Sequence, residues 1–466
     1  MKVLHIDIDT LRPDHLSCYG YQRNTSPNID SIAKYGIKFS NCFSSDSPCM
    51  PSRAAIFSGT YGIKNGIITH GERGLKMKGK METLPLVLRK NGVHVYSFGS
   101  FGRHPAPWYY VGFEETHDPL VIDGSGFQEL DGAVTTEEVL KLLNNKSTKK
   151  DMYLHIHFWD PHTPYAAPLS FVNLIENEYF PDHPTENELN SQIDKVYWHS
   201  PKTMGITTYD DWKKLINEYD AEIRYADFNV GRILRKIEEL DDDFLIILMS
   251  DHGEEFGEHG PIAEHWSVYN GTQRVPLILY SNKLNYQGDY RGLVYQFDIA
   301  ATILDAFKIA VPEEWDSISV LDFIKQTVPE RQSLIVGHGL YTHQRAVITR
   351  DFKLIKTYNP GMWHLPELQL YSMKDLWESA DLSCSDPEQV KILGSVLAEW
   401  EESNANGEDP MVSTSDNIPA GISMYAKGFV EEYVKKGKLI PWKSNKRKSK
   451  VTSIDGLPRA LAHRDK

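Results

Sequence analysis

Three apolar runs along the chain share one texture. Residues 2–9 read KVLHIDID, residues 152–158 read MYLHIHF, and residues 242–251 read DDFLIILMSD. Short runs of this kind predict buried strands of a parallel sheet, and the first and third carry a carboxylate at the C-terminal end. Between the second and third, YDAEIRYADFNVGRILRKIEEL (219–240) places Ile223, Val230, Ile233, Leu234 and Ile237 near one face of an amphipathic helix. Strands alternating with such helices predict an α/β fold with a large mixed, mostly parallel sheet flanked by helices. After QFDIAATILDAFKIAVP (296–312) the runs become shorter, SLIVGH, RAVITRD and FKLIKTY, and a helical stretch follows near 387–402. This change sets a boundary near residue 330, with residues 1–330 as the catalytic α/β domain and residues 331–434 as a smaller α+β domain of antiparallel sheet plus helix. Residues 435–466 read as a basic tail, with eleven Lys or Arg against two Asp.

Composition narrows the class of protein. With 466 residues, 41% hydrophobic and 24% charged, the chain suits a globular enzyme with a substantial core rather than a disordered segment. A net charge of −14 argues against nucleic acid as a partner. Four cysteines are too few for a disulfide framework at this length. No apolar run reaches spanning length, so no membrane partner is expected. No leader pattern precedes the first strand, so the expected location is the cytoplasm, with a removed leader as the alternative.

In open α/β sheets ligands bind beyond the carboxyl ends of the strands, so Asp9, Asp251 and His162 of the loop WDPHTPY are expected to meet at one edge. A fourth element is SSDSPCMPSRAAIFSGT (44–60). Pro51 suits the first position of a helix beginning right after Cys49. The cysteine side chain then stands at a helix N-terminus, where free amides favour an anion, and Arg53 adds a cation one turn on.

CMPSRAAIFSG, together with DTLRPDHLSCYGY, TSPNIDSIAKYGIKF, DPHTPY, YDAEIRYAD, SDHGEEFGEHG, RVPLIL and ELQLYSMKDLWESADL, resembles the blocks of the formylglycine-dependent sulfatases, in family order over residues 1 to about 400. The fold implied is that of the alkaline phosphatase superfamily. The resemblance implies that a maturation enzyme oxidises Cys49 to formylglycine, whose hydrate is a covalent nucleophile toward a sulfate ester. Asp9, Asp251 and His252 match metal-binding positions, completed by modified Cys49, with calcium the first choice and magnesium the alternative. His162 matches the histidine placed to protonate the leaving alcohol, and His265 falls where many relatives carry a lysine. Arg53 is expected to support the diol and its loop. Asp7 shares a strand face with Asp9 and is a candidate for the shell behind it.

Two departures stand out. Thr10 occupies the place of a second Asp found in many relatives. SFGSFGRHP (97–105) stands where relatives read Gly-Lys-Trp-His, so Ser100, Arg103 and His104, or His70 of THGERG, become the candidates for sulfate contact. The base that regenerates the aldehyde is unassigned. Trp108, Trp159 and Trp266 are candidate rim aromatics for stacking on a sugar. The expected substrate is an organic sulfate, with a sulfated saccharide the first choice. The alternative is a phosphonate monoester or phosphodiester hydrolase using the same site, and the third reading is an inactive carbohydrate-binding homologue. A homo-oligomer is left open.

Overall fold

The computed structural model describes residues 1–70, 77, 81–99, 107–117, 131–145, 151–175, 179–193, 201–202, 204–240, 242–283, 286–361, 365–405 and 407–413. The tail 435–466 lies outside the described residues. The first strands are β1 (Lys2–Ile8), β2 (Ile37–Phe43), β3 (Asp46–Ser47), β4 (His94–Phe98), β5 (Glu115–His117), β6 (Met152–Phe158) and β7 (Phe244–Met249). A short pair follows, β8 (Glu255–Phe256) and β9 (Ile262–Glu264), then β10 (Leu277–Ser281) and β11 (Gly288–Tyr295). The last four are β12 (Leu334–His338), β13 (His343–Ile348), β14 (Phe352–Asn359) and β15 (Leu368–Ser372).

Eight strands form the large sheet in the order β11-β2-β10-β7-β1-β6-β4-β5. β10 alone runs antiparallel to its neighbours, so the sheet is mixed and mostly parallel as the sequence predicts. Its central strands are buried on both faces, which is why they read as continuous apolar runs. Val3, Leu245, Ile247, Met249, Leu277 and Leu279 enter one core layer, while Leu4, Ile6, Ile8, Ile246, Leu248 and Ile278 enter the other. The second layer is closed by the helix Tyr209–Glu239, which starts at a Thr208/Asp211 capping box and buries Ile223, Val230, Ile233, Leu234 and Ile237.

The smaller sheet has the order β15-β14-β13-β12-β3. Side chains along it alternate with a period of two. Leu334, Val336, Ala346, Ile348, Ile355 and Tyr371 join the first core layer of the large sheet, and Ile335, Val347, Leu354 and Leu370 pack on Leu393 and Leu397 of the helix Pro387–Asn404. Its fifth strand is not local in sequence: β3 pairs parallel with β12, Asp46 opposite Gly337 and Ser47 opposite His338. The two sheets therefore share a core layer, and the segment leading into Cys49 is fixed by the smaller one through β3. Among the described residues, no helix is long and apolar enough to cross a membrane.

Candidate active site

β1 and β7 are parallel neighbours, and the pairing of Asp7 with Met249 sets Asp9 level with Asp251 just past the strand ends. The third contributor is the helix Cys49–Ser58, buried along its whole length. It begins at Cys49 itself, with Pro48 as its N-cap, so Pro51 is the third helical residue and not the first as the sequence predicts. The position still tolerates proline, because the first four N–H groups of a helix lack internal partners. Ser52 Oγ donates to the Asp251 carbonyl at 2.7 Å and ties this helix to the end of β7. Two residues on, Gly253 has its backbone against Gly271: a Cβ there would sit 2.0 Å from the Gly271 oxygen, so only glycine lets the SDHG turn close.

These elements bring Asp9, Cys49, Asp251 and His252 together, with one ligand atom from each inside 4.8 Å of all the others. All four are buried. Arg53 runs beneath them: Nε donates to Asp7 Oδ2 at 2.8 Å, Nη2 to Asp9 Oδ2 at 3.1 Å, and Nη1 lies 2.9 Å from Asp251 Oδ2. One guanidinium faces three carboxylates, which leaves the cluster short of two positive charges. Burial, with the Asp9 and Asp7 charges nearby, pushes the Asp251 carboxyl up. Asp9 goes the other way: burial opposes its ionisation, but Arg53 and His157 hold it well below the usual carboxylate range. Asp9 Oδ1 is buried and accepts no hydrogen bond among the described residues. With all three carboxylates ionised the cluster lacks two positive charges, and that deficit beside an orphaned carboxylate oxygen fits a divalent cation held by Asp9, Asp251 and His252. Removing the cation with a chelator is expected to lower the melting temperature. Restoring the divalent cation to about a hundred times its Kd should return roughly 2.7 kcal/mol, and Asp9→Asn should abolish the response.

Three histidines stand over the cysteine. His252 Nε2 lies 3.0 Å from Cys49 Sγ, and its Nδ1 lies 2.8 Å from the Gly253 carbonyl. His162 and His265 offer ring nitrogens that share a 4.8 Å cluster with the same sulfur. The His265 ring centre is 4.2 Å from that of His252 and 5.5 Å from that of His162. Burial holds the His252 and His265 imidazoles neutral, down to about 3 for His252 and about 4 for His265. His70 is close as well, its Nε2 accepting the Met50 N–H at 3.1 Å, so it touches the backbone next to Cys49.

The other sequence candidates distribute differently. Trp159 and Trp266 are only 4% and 3% exposed. Trp159 lies tilted against the His162 ring at 4.2 Å between ring centres and Trp266 against Tyr341 at 4.4 Å, so neither offers the open face expected of a rim. Trp108 is half-buried against the core beside Tyr109. Thr10 adopts φ 56°, its carbonyl accepts from Tyr219 Oη, and its Oγ1 is buried without a hydrogen-bond partner among the described residues. Ser100, Arg103 and His104 lie outside the described residues.

Sequence reasoning missed three buried groups. His157 Nε2 lies 3.2 Å from Asp9 Oδ2, and His155 Nε2 lies 3.5 Å from Asp7 Oδ2. The register explains both, since β6 pairs His155 with His5 and His157 with Asp7. The alternation in MYLHIHF is the available signal, because residues two apart share a strand face. Glu254, fully buried, lies 3.1 Å from His265 Nδ1 and fixes that ring. Only its place directly after SDHG marks it.

The sequence model of the Sulfatase family matches residues 2–309, and that described as N-sulphoglucosamine sulphohydrolase, C-terminal, matches residues 257–395. The N-acetylglucosamine-6-O-sulfatase of Bacteroides thetaiotaomicron is 22% identical over 86% of this chain and 87% of its own. Among solved structures, a protein bound to its substrate D-glucosamine-2-N,6-O-disulfate superposes with a TM-score of 0.71 at 20% identity, over 88% of this chain and 99% of the other. The phosphonate monoester hydrolase of Agrobacterium radiobacter superposes with a TM-score of 0.68 at 17% identity, over 86% and 96%. With two thirds of its length matched by the family's own sequence model, the chain belongs to the sulfatase family and is a sulfuric ester hydrolase.

Proposed function

We propose that the protein hydrolyses a sulfate ester on a carbohydrate, with residue 49 acting in its formylglycine form after oxidation by a maturation enzyme. The observation that carries this reading is the convergence of Asp9, Asp251, His252 and Cys49 within 4.8 Å, over an arginine that already holds both aspartates. The carbohydrate part is supported by relatives such as the N-acetylglucosamine-6-O-sulfatase. A divalent ion held by Asp9, Asp251 and His252 would supply positive charge for the sulfate oxygens and for the hydroxyl of residue 49, with calcium preferred for its oxygen-rich set.

The chain's own groups divide the remaining work. Arg53 fixes the two aspartates and the turn that presents residue 49. His162 and His265 face that residue, where one of them can hold the proton that the leaving alcohol must receive. Glu254 orients His265, and Trp159 packs the His162 ring in place. His162→Ala is expected to lower kcat/KM on a sugar sulfate by about 10²- to 10⁴-fold, and to cost far less on an aryl sulfate whose leaving group needs no proton. Equal losses on both substrates would remove His162 from the donor role.

The second reading, hydrolysis of a phosphonate monoester or phosphodiester, is favoured by one observation: residues 97–105 do not carry the Gly-Lys-Trp-His of typical sulfatases. Rates on matched sulfate, phosphonate and phosphodiester substrates decide between them. Sulfate turnover faster than the other two is the expected result.

A further inference from the structure

We propose that the same pocket, while Cys49 is still a thiol, holds a second and softer metal site: Cys49, His162 and His265 take zinc, with the fourth position left for water. This goes beyond the hydrolytic reading, because it concerns the chain before oxidation and a different set of donor atoms.

Ligand atoms of Cys49, His162 and His265 all lie within 4.8 Å of one another, which meets the distance demand of one small ion. The rings are also oriented as metal-binding imidazoles are. A ligating histidine ties its other nitrogen to an oxygen, which fixes the ring and its tautomer. His162 Nδ1 lies 2.7 Å from the Thr163 carbonyl, His265 Nδ1 lies 3.1 Å from Glu254 Oε1, and His252 Nδ1 lies 2.8 Å from the Gly253 carbonyl. Each ring therefore has its Nδ1 engaged with an oxygen. His252 Nε2 is already 3.0 Å from the sulfur. The Glu254–His265 pair is a carboxylate–histidine unit, and Glu254 is held in turn by Tyr165 Oη at 3.3 Å.

Donor chemistry then selects the ion. One thiolate and two imidazoles, with a water in the fourth position, form an S/N set of the kind zinc prefers over calcium or magnesium. Burial pushes the free Cys49 thiol up, so in the absence of a metal the sulfur keeps its proton. Binding displaces it: the S–H bond breaks, a sulfur–zinc bond forms, the proton leaves to solvent, and no electron is transferred. His162 is the one member that is only half-buried, and it marks the way in. Oxidation of Cys49 to formylglycine removes the sulfur and leaves the oxygen donors of Asp9 and Asp251 dominant. Maturation thus switches the pocket from soft to hard ions.

The test uses the full chain produced without a maturation enzyme, with mass spectrometry showing cysteine at position 49. Equilibrium dialysis against zinc should give one ion per chain, with affinity weakened on the order of 100-fold in Cys49→Ser. Glu254→Gln should weaken it by roughly 10- to 100-fold through His265. Cobalt in place of zinc should give a sulfur-to-cobalt charge-transfer band that Cys49→Ser lacks. Equal zinc affinity in the wild type and Cys49→Ser, or a cobalt complex without that band, overturns the proposal. The cobalt spectrum of the unsubstituted chain decides the matter even if a variant fails to fold. Sulfate release by the oxidised protein is a separate measurement, so failure of the zinc site and failure of the sulfatase reading are distinguishable.

Discussion

Cys49→Ala should remove sulfate-ester hydrolysis by on the order of 10⁴-fold or more in kcat, because it deletes the residue proposed as the covalent nucleophile while leaving the rest of the pocket in place. Cys49 is 1% exposed and sits in the first turn of a helix whose far end is closed by Gly59, so an alanine side chain fits without disturbing the fold. The loss should therefore fall on turnover and not on substrate binding. A sulfated ligand should still bind the variant with an affinity within a few-fold of the parent. A variant that binds normally and retains turnover would show that residue 49 is not the attacking group.

Arg53→Leu carries the second large effect, on stability. The guanidinium is buried among Asp7, Asp9 and Asp251, and among the described residues no other cation contacts all three. Removing it leaves carboxylates without compensation in a low-dielectric site, and breaking a buried pair in this way costs about 3–5 kcal/mol. Urea unfolding of the metal-free protein reads this directly. Calcium should recover part of the loss, since the ion supplies positive charge at the same carboxylates. Arg53→Lys should fall between the two, because a single ammonium cannot span the three acceptors that the guanidinium fork reaches. Unchanged stability in Arg53→Leu would mean that the cluster is not held by this charge.

Some parts of this molecule are legible in the sequence and others are hidden, for physical reasons. β1, β6 and β7 are visible as apolar runs because central parallel strands are buried on both faces, and the long helix is visible from its single apolar stripe. The meeting of Asp9 and Asp251 follows from their places at strand ends, since ligands gather beyond the carboxyl ends of parallel strands. The pairing of β3 with β12 does not, because it joins residues 46–47 to residues 337–338 and leaves no local pattern. The nucleophile helix starts earlier than Pro51 suggests, since proline is acceptable anywhere in a first turn. Trp159 and Trp266 sit in loops, which suggests a rim, yet both are buried by the histidines and tyrosine packed around them. His155, His157 and Glu254 act through partners on other elements: the alternation in MYLHIHF shows that the two histidines share a strand face, but which carboxylates they meet is decided by sheet register, and the Glu254–His265 contact by the turn after β7.

The most direct test of the central claim is sulfate release from a panel of defined sulfated saccharides, using protein shown by peptide mass spectrometry to carry formylglycine at position 49. The account predicts release from at least one saccharide that stops on chelation, returns with calcium and is absent in Asp9→Asn. Oxidised, calcium-loaded protein that releases no sulfate from any saccharide, or release that persists under chelation, would contradict it.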